Sequence, residues 1–368
     1  MAAVIGCGGS KGTSQSTSDG TNAADATAGS SGKSTSAATV GDGSTAKSGT
    51  QSDGSAKTVT AGKSSGGTFT AEGSASDWIA ALADSDPARR DEARAKIEAL
   101  GDGATELLLT ALRTGTPTER QGAAFYLMGE LHPNNDALVA AFTAALGDQD
   151  PTVRHIALQA VTSLPDDRLL STLPNLVVMV ENTGEQPTTR AEAARLVARL
   201  GSPAHEALPA LERMATGGGD PRVRTACAVA VSRIAPAEQA VDVLRRLMTD
   251  EDAAMRRLAA ARLASFGPAA EPALGELASA LGDPEERVRM TSSDALVRIG
   301  RPSVDVLIVQ LEDQHAVTRR MAVYTLGRLG DSARPAIAAL QTRLNDPDDE
   351  TRQLTELILR RLLEQEQP

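Results

Sequence analysis

The sequence predicts an all-α fold: an α-solenoid of about nine helical hairpins, preceded by a long disordered segment. Three observations predict it. An arginine returns at intervals of 30 to 36 residues, apolar residues recur at helical spacing after Ser76, and an Asp-Pro step precedes many of these helices. A fixed period of this length is typical of elongated repeat arrays, in which each unit packs only against its neighbours.

The repeating arginine marks one position in each hairpin. Successive intervals are 30, 34, 36, 34, 32, 33, 30 and 33 residues. The nine copies are Arg90, Arg120, Arg154, Arg190, Arg224, Arg256, Arg289, Arg319 and Arg352.

The stretch DPTVRHIALQAVTSL shows why a helix is expected around each arginine. Its apolar residues recur at three- and four-residue steps and therefore share one helical face: Val153, Ile156, Ala157, Ala160, Val161 and Leu164. Asp150 is a natural N-cap, and Pro151 lacks only an amide that would be unpaired in the first turn. The Asp-Pro step therefore predicts a helix start, which returns at Asp86, Asp220, Asp283 and Asp346. A second apolar run precedes each start, so every unit is predicted to be a helical pair.

The first 75 residues have a different composition. Residues 8–75 are almost entirely Ser, Thr, Gly, Ala, Asp and Lys, and their large apolar residues are Val40, Val59 and Phe69. Such a segment cannot bury enough apolar surface to offset the entropy lost on ordering. We expect residues 8–75 to be a disordered linker and residues 76–368 to form the helical array.

The residues Val4-Ile5-Gly6-Cys7 resemble the lipobox of bacterial lipoproteins, and the glycine- and serine-rich run after Cys7 fits that resemblance. The resemblance implies that residues 1–7 are the remnant of a signal and that Cys7 is acylated. It also implies a lipid anchor in the cell envelope, outside the cytoplasmic membrane. Only six residues precede Cys7, fewer than a secretory signal requires. The alternative interpretation is a chance match in a segment of small residues, with the protein in the cytoplasm.

Composition argues against several classes of protein. The chain carries 48 acidic residues against 37 lysines and arginines, for a formal net charge of -11, which differs from the basic footprint of nucleic-acid binders. Two cysteines are too few for a disulfide framework or a thiolate zinc site. The four histidines, His132, His155, His205 and His315, are far apart in sequence. We therefore expect no catalytic residue, metal, cofactor or small-molecule substrate.

The line Asp-Pro-x-Val-Arg-x-x-Ala, clearest at residues 150–157 and 220–224 and in AVTRRMAVYTLGRLG at residues 316–330, resembles HEAT repeats of the short, phycobilisome-lyase type. In HEAT arrays the repeated aspartate and arginine form a ladder between successive repeats, and the aspartate also caps the second helix. The resemblance implies these structural roles for the nine arginines and for Asp86, Asp150, Asp220, Asp250, Asp283, Asp313 and Asp346.

Helical register predicts a binding surface. Positions five and nine after each repeating arginine should point away from the core, along an inner, concave row. Position nine is arginine in five of the last six repeats, at Arg199, Arg233, Arg298, Arg328 and Arg361, and position five adds Arg195 and Tyr324. These residues are candidates for binding an acidic peptide or a phosphate-bearing ligand. The alternative is a set of solvated surface arginines balanced by neighbouring acids.

The sequence favours a non-catalytic protein-protein interaction scaffold that binds a protein partner on this row. One alternative is a phycobilisome-lyase-like enzyme or accessory protein, although no dedicated cysteine or aromatic pocket for a bilin is visible. A second is nucleic-acid binding similar to that of HEAT-like DNA glycosylases, which the net charge disfavours. His205-Glu206 resembles one of the His-Glu pairs of di-iron hydroxylases built on HEAT repeats, but that site needs four such pairs.

Overall fold

The computed structural model describes residues 73–364, which form nine successive helical pairs and contain no strand. The pairs are α1 (Ala75–Ala81) with α2 (Pro87–Glu98), α3 (Gly103–Thr114) with α4 (Pro117–Gly129), α5 (Asp136–Ala145) with α6 (Pro151–Thr162), α7 (Asp166–Leu170) and α8 (Leu173–Glu181) with α9 (Pro187–Leu200), α10 (Leu208–Thr216) with α11 (Pro221–Ile234), α12 (Ala237–Leu247) with α13 (Ala253–Phe266), α14 (Leu274–Ser279) with α15 (Glu286–Ile299), α16 (Ser303–Gln310) with α17 (Ala316–Leu329), and α18 (Ile337–Thr342) with α19 (Asp349–Glu364). The predicted all-α solenoid is confirmed.

The N-terminal end of the array is fixed by a capping box. The Ser74 hydroxyl accepts a hydrogen bond from the Asp77 amide at 3.3 Å, and the Asp77 carboxylate accepts one from the Ser74 amide at 2.9 Å. Cys7 and almost all of the predicted linker lie outside the described residues. Within residues 73–364, no helix combines the length and the apolar character needed to cross a bilayer.

The core is built from small apolar residues. Alanine, leucine and valine supply most of the buried side chains, and Phe142 is the largest of those fully enclosed in the described part of the chain. Small residues allow close packing of neighbouring helices, and a Cβ atom at Gly122 on α4 would lie only 1.8 Å from the Ile79 carbonyl oxygen on α1. Successive second helices such as α9 and α11, or α13 and α15, pack directly on one another. Each pair therefore covers the apolar stripe of the next.

Helix starts follow the predicted signal at three Asp-Pro steps and differ at two. Asp86, Asp150 and Asp220 cap their helices, each accepting a hydrogen bond at 2.7 to 3.0 Å from the amide two residues on. At Asp283 and Asp346 the helix begins three residues later than the aspartate. These two aspartates occupy a different position of the repeat, which is part of the contact between repeats.

Candidate functional site

Seven of the nine repeating arginines are held against the turn that precedes their own helix. Arg256 Nη1 donates to the carbonyl oxygens of Asp250 at 2.8 Å and Glu251 at 3.0 Å, six and five residues earlier. The guanidinium thus satisfies turn carbonyls that have no helical partner. The same Nη1 contact to the carbonyl six residues earlier is made by Arg90, Arg154, Arg289, Arg319 and Arg352.

The other edge of the guanidinium reaches the following repeat. Arg256 donates from Nε and Nη2 to the two carboxylate oxygens of Asp283, at 2.7 and 2.9 Å. Asp283 also accepts a hydrogen bond from the Glu285 amide at 2.9 Å, so the carboxylate is fixed from both sides. Bidentate pairs of this kind are geometrically specific. The equivalent links are Arg120 to Asp148, Arg154 to Glu185, Arg224 to Asp250 and Arg319 to Asp346.

The ladder carboxylate and the helix cap are different residues, which corrects the prediction that one aspartate does both. Asp148 accepts from Arg120, whereas Asp150 caps α6 and accepts from Gln121 at 2.7 Å. The two roles need two positions because the ladder acid already holds the amide of the cap residue: the Asp150 amide donates to Asp148 at 2.7 Å. The aspartates that act as caps and not as ladder partners are Asp86, Asp150 and Asp220.

The ladder is interrupted at three of the nine arginines. Arg90 and Arg289, which precede the two 30-residue intervals, donate to turn carbonyls alone among the described residues. Asp313, the acid one repeat after Arg289, accepts no hydrogen bond from that arginine. It accepts one from the His315 amide at 2.8 Å. Arg190 is buried and donates from Nε to a carbonyl oxygen of α8 at 2.9 Å. A shorter repeat therefore lacks the link even where the aspartate is present.

The residues predicted to bind a partner lie on the solvent-exposed side of the second helices. The second-helix face denotes here the exposed positions five and nine of α4, α6, α9, α11, α13, α15, α17 and α19. Tyr324 is half-buried, with the guanidinium carbon of Arg328 5.6 Å from its ring centroid. The exposed arginines are Arg195, Arg199, Arg233, Arg298, Arg328 and Arg361.

Two of these arginines are held by the preceding repeat. Arg199 Nε donates to Asp166 at 3.1 Å, while its Nη1 and Nη2 atoms each donate to a backbone carbonyl oxygen of the preceding repeat at 2.7 Å. Arg328 forms an ion pair with Asp294. At these two positions the structure matches the alternative interpretation, in which neighbouring acids balance the surface arginines.

The centre of the second-helix face is not balanced in this way. Within residues 73–364, Arg195, Arg233 and Arg298 have no hydrogen-bond or ion-pair partner. Arg199 pairs with Asp166 and Arg328 pairs with Asp294. Counted from the preceding repeating arginine, the residues equivalent to these two acids in front of Arg233 are Ser202 and Arg195. Helices α11 and α13 contain no acidic residue at all. The middle of the face therefore keeps its positive charge.

Arg262 on α13 belongs to the same region, although the predicted positions five and nine do not include it. It is the sixth residue after Arg256, and Thr325 at the equivalent position donates to Ser293 of the preceding second helix at 2.8 Å. Position six therefore faces the seam between consecutive second helices. Six other repeats bury an uncharged residue there: Ala160, Leu196, Ala230, Ala295, Thr325 and Ile358. In the remaining three repeats the position is half-buried and holds Lys96, Tyr126 and Arg262.

The electrostatics of the seam follow from this placement. Arg262 is half-buried and has no hydrogen-bond or ion-pair partner among residues 73–364. Its burial and the nearby positive charge of Arg233 lower its pKa, which remains far above neutrality because arginine stays protonated in proteins. Two like charges thus lie close together where water is partly excluded.

The remaining chemically reactive side chains are dispersed. Among residues 73–364, no group of three or more His, Cys, Asp or Glu side chains is arranged to hold a metal ion. His205 and Glu206 are both exposed in a 3₁₀ segment at Ser202–Ala207. Cys227 is fully buried on α11, where burial raises the pKa of its thiol to about 12. It is therefore a small apolar core residue at neutral pH.

Comparisons with known proteins agree with this architecture. The chain matches the family model for HEAT repeats over residues 139–232, 174–265 and 272–360, and no curated protein matches it. Among solved structures, importin β aligns with 77% of this chain and 43% of its own, at 14% identity and a TM-score of 0.48. Escherichia coli YibA aligns with 73% of this chain and 94% of its own, at 19% identity and a TM-score of 0.40. Human deoxyhypusine hydroxylase aligns with 73% and 98%, at 24% identity and a TM-score of 0.29. The repeated pairs of helices and the family matches, which together span more than half of the sequence, show that the chain belongs to the HEAT-repeat family.

Proposed function

We propose that this HEAT-repeat protein is a non-catalytic scaffold that binds a protein partner along its second-helix face. The observation that supports this proposal is the division among its arginines. Ladder arginines such as Arg256 and Arg319 use their donors inside the chain, whereas Arg233 and Arg298 have no internal acceptor within residues 73–364. An exposed guanidinium with unused donors suits recognition of a partner's carboxylates.

The same face carries apolar anchors on both sides of the charged centre. Phe125 on α4 and Leu357 on α19 both stand at position five and are 43% and 59% exposed. Phe125 also lines a groove of about 360 Å³ together with Leu82 and Ile156. Binding energy at protein interfaces is concentrated in aromatic and arginine side chains, so this combination favours a protein partner.

Partner capture from cell-envelope extracts tests the scaffold function. The full chain serves as bait and is compared with Phe125→Ala/Leu357→Ala and with Arg233→Gln/Arg298→Gln; captured proteins are identified by mass spectrometry and re-tested in purified form. We expect a purified partner to bind directly and both double variants to weaken it. A matched control, Arg113→Gln on α3, which is the first helix of its pair and lies outside the second-helix face, should leave capture unchanged. Unaltered binding by all variants would remove the second-helix face from consideration.

We further propose that Cys7 carries a lipid that anchors the chain in the bacterial cell envelope. The lipobox-like Val4-Ile5-Gly6-Cys7 supports this proposal, and the small-residue segment that follows would act as a tether. Mass spectrometry of the full chain from a bacterial host should find an acylated Cys7 that is lost in Cys7→Ser. Cys227→Ser is the control and should keep the lipid. An unmodified Cys7 in the native host would contradict the anchor.

A further inference from the structure

The seam between α11 and α13 carries positive charge at a position where six of the other eight repeats bury an uncharged side chain. Arg262 stands in that seam, and Arg233 at the end of α11 is close enough for the two charges to interact. The geometry of the α15–α17 junction shows what lies next to such a residue. There Arg328 reaches position five of the preceding second helix and pairs with Asp294. The corresponding residue in front of Arg233 is Arg195.

We therefore propose that Arg195, Arg233 and Arg262, named here the arginine cluster, bind an acidic peptide segment of the protein partner through carboxylate or phosphoryl oxygens. This inference rests on the proposed scaffold function and specifies the chemistry of its ligand. Within residues 73–364, none of the three arginines forms an ion pair: α11 and α13 have no acidic residue, and on the flanking α15 Asp294 is already paired with Arg328. Glu192 on α9 is the single acid of that helix and cannot neutralise three arginines.

A half-buried guanidinium without an acceptor is unfavourable, because it is less well solvated than an exposed one and gains no partner in return. The unfavourable state is relieved when an oxyanion enters, since carboxylate and phosphoryl groups match the guanidinium fork in a bidentate manner. Arg262 lies in the seam and would be desolvated further by the ligand, which strengthens the ion pair. Arg195 and Arg233 are exposed and would attract the ligand over longer distances.

The spacing of the helices specifies the peptide further. Packed helices lie about 8–10 Å apart. A peptide in the polyproline II conformation advances about 3.1 Å per residue with three residues per turn, so side chains three residues apart lie on one face, about 9 Å from each other. The arginine cluster, which spans α9, α11 and α13, should therefore prefer acidic residues spaced about three positions apart over a single isolated acid.

Fluorescence anisotropy with the purified full chain tests this proposal. The probes are labelled Gly/Ser peptides with glutamate at every third position, the same peptide with a central phosphoserine, and a control with glutamine in place of glutamate; a DNA duplex is a fourth probe. We expect both acidic peptides to bind and the glutamine peptide not to bind. Comparison of the first two distinguishes carboxylate from phosphoryl recognition.

Two double variants provide matched charge changes. Arg233→Gln/Arg262→Gln should weaken binding by about tenfold to a hundredfold, because it removes two guanidinium groups that would bind the oxyanions of the ligand. Arg199→Gln/Arg328→Gln removes the same number of positive charges, but from two arginines that already have acidic partners in the chain. This variant should change affinity less than about threefold. Arg262→Leu restores the apolar character of the other repeats; it should keep the helical circular dichroism and lose the peptide.

Several results would overturn the arginine cluster. The first is that neither acidic peptide binds, and the second is that the two double variants lose peptide affinity equally. The third is that DNA binds as tightly as the acidic peptides and is equally weakened by Arg233→Gln/Arg262→Gln. Partner capture separates this failure from failure of the scaffold function. If capture survives Arg233→Gln/Arg262→Gln but not Phe125→Ala/Leu357→Ala, the arginine cluster is wrong and the scaffold stands. If no variant of the face alters capture, both are wrong.

Discussion

Arg319 on α17 and Arg262 on α13 are both shielded arginines of second helices, yet their surroundings are opposite. Arg319 donates twice to Asp346, at 2.7 Å each, and to the carbonyl oxygens of Asp313 and Gln314, at 2.9 and 3.1 Å. Arg262 has no acceptor within residues 73–364. The first arginine joins repeats together, whereas the second is unfavourable for the fold and stands where an apolar residue would pack. The difference teaches that a shielded arginine in this array serves the fold only where the chain supplies its acceptors.

Removal of the ladder carboxylate should have the largest effect on stability. Asp346→Ala leaves Arg319 buried and without a carboxylate, and breaking a buried pair in this way destabilises by about 3–5 kcal/mol. The matched control is Asp313→Ala. Asp313 lies six residues before the repeating arginine Arg319, just as Asp346 lies six residues before the repeating arginine Arg352. Each aspartate accepts the amide two residues on, at 2.8 and 3.0 Å, but only Asp346 of the two also accepts from an arginine of the previous repeat.

The control should therefore lose less than about 1 kcal/mol. Urea denaturation followed by circular dichroism measures both variants. Equal losses would mean that the local amide contact, rather than the link between repeats, provides the stability.

A fall in pH should weaken the ladder, because its carboxylates become protonated, while the arginine cluster keeps its positive charge. Burial alone would raise the pKa of Asp346, but hydrogen bonds from Arg319 and the Asp348 amide and the charges of Arg319 and Arg343 outweigh it, so the pKa is lowered. The pKa values of Asp250 and Asp283 are lowered in the same way by Arg224 and Arg256.

A carboxylate with a lowered pKa in the folded state stabilises above its unfolded pKa, which is about 3.9. That contribution is lost as pH falls below this value towards the folded pKa. We expect the unfolding free energy to decrease below about pH 4, and Asp346→Ala to show a shallower decrease than the parent chain. Parallel pH profiles would contradict this assignment.

Replacement of Arg262 should act in the opposite direction. Arg262→Leu removes a partly desolvated charge that lies near Arg233 and introduces the apolar character found at the equivalent Leu196 and Ile358. Replacing buried charge with apolar side chains often stabilises, and we expect a gain of about 1–2 kcal/mol in unfolding free energy. Thermal and urea denaturation measure it, with Arg257→Leu, an exposed neighbour on the same helix, as the control. A loss of stability in Arg262→Leu alone would show that the arginine packs favourably in the fold.

The sequence was sufficient for the architecture because the signals of the fold are local and repeated. Apolar spacing predicted the paired helices, and Gly201 and Gly300, which end two of the second helices, have positive φ values of 62° and 88°. The Asp-Pro step misled at Asp283 and Asp346, since the same dipeptide occurs at the cap in some repeats and at the ladder position in others. The two uses are separated by where the helix starts, which is one residue after the cap aspartate Asp150 and three residues after the ladder aspartate Asp346.

The binding surface was less predictable for a different physical reason. Positions five and nine together predicted six arginines that are exposed on the second-helix face, but sequence alone could not show that Asp166 and Asp294 neutralise two of them. Those contacts join residues more than 30 positions apart, at 33 between Asp166 and Arg199 and 34 between Asp294 and Arg328. Arg262 was missed because position six was treated as core, where a charge is not expected.

The smallest effect is expected where an arginine of the second-helix face is replaced outside the seam. Arg298→Gln removes an exposed side chain that has no partner within residues 73–364, so the unfolding free energy should change by less than about 0.5 kcal/mol. Arg319→Gln, the same substitution in the ladder, would leave the buried Asp346 uncompensated and should lose about 3 kcal/mol or more. Urea denaturation of the two variants side by side measures this contrast. If Arg298→Gln were as destabilising as Arg319→Gln, the exposed arginines would belong to the folding of the array, and their availability to a partner would lose its support.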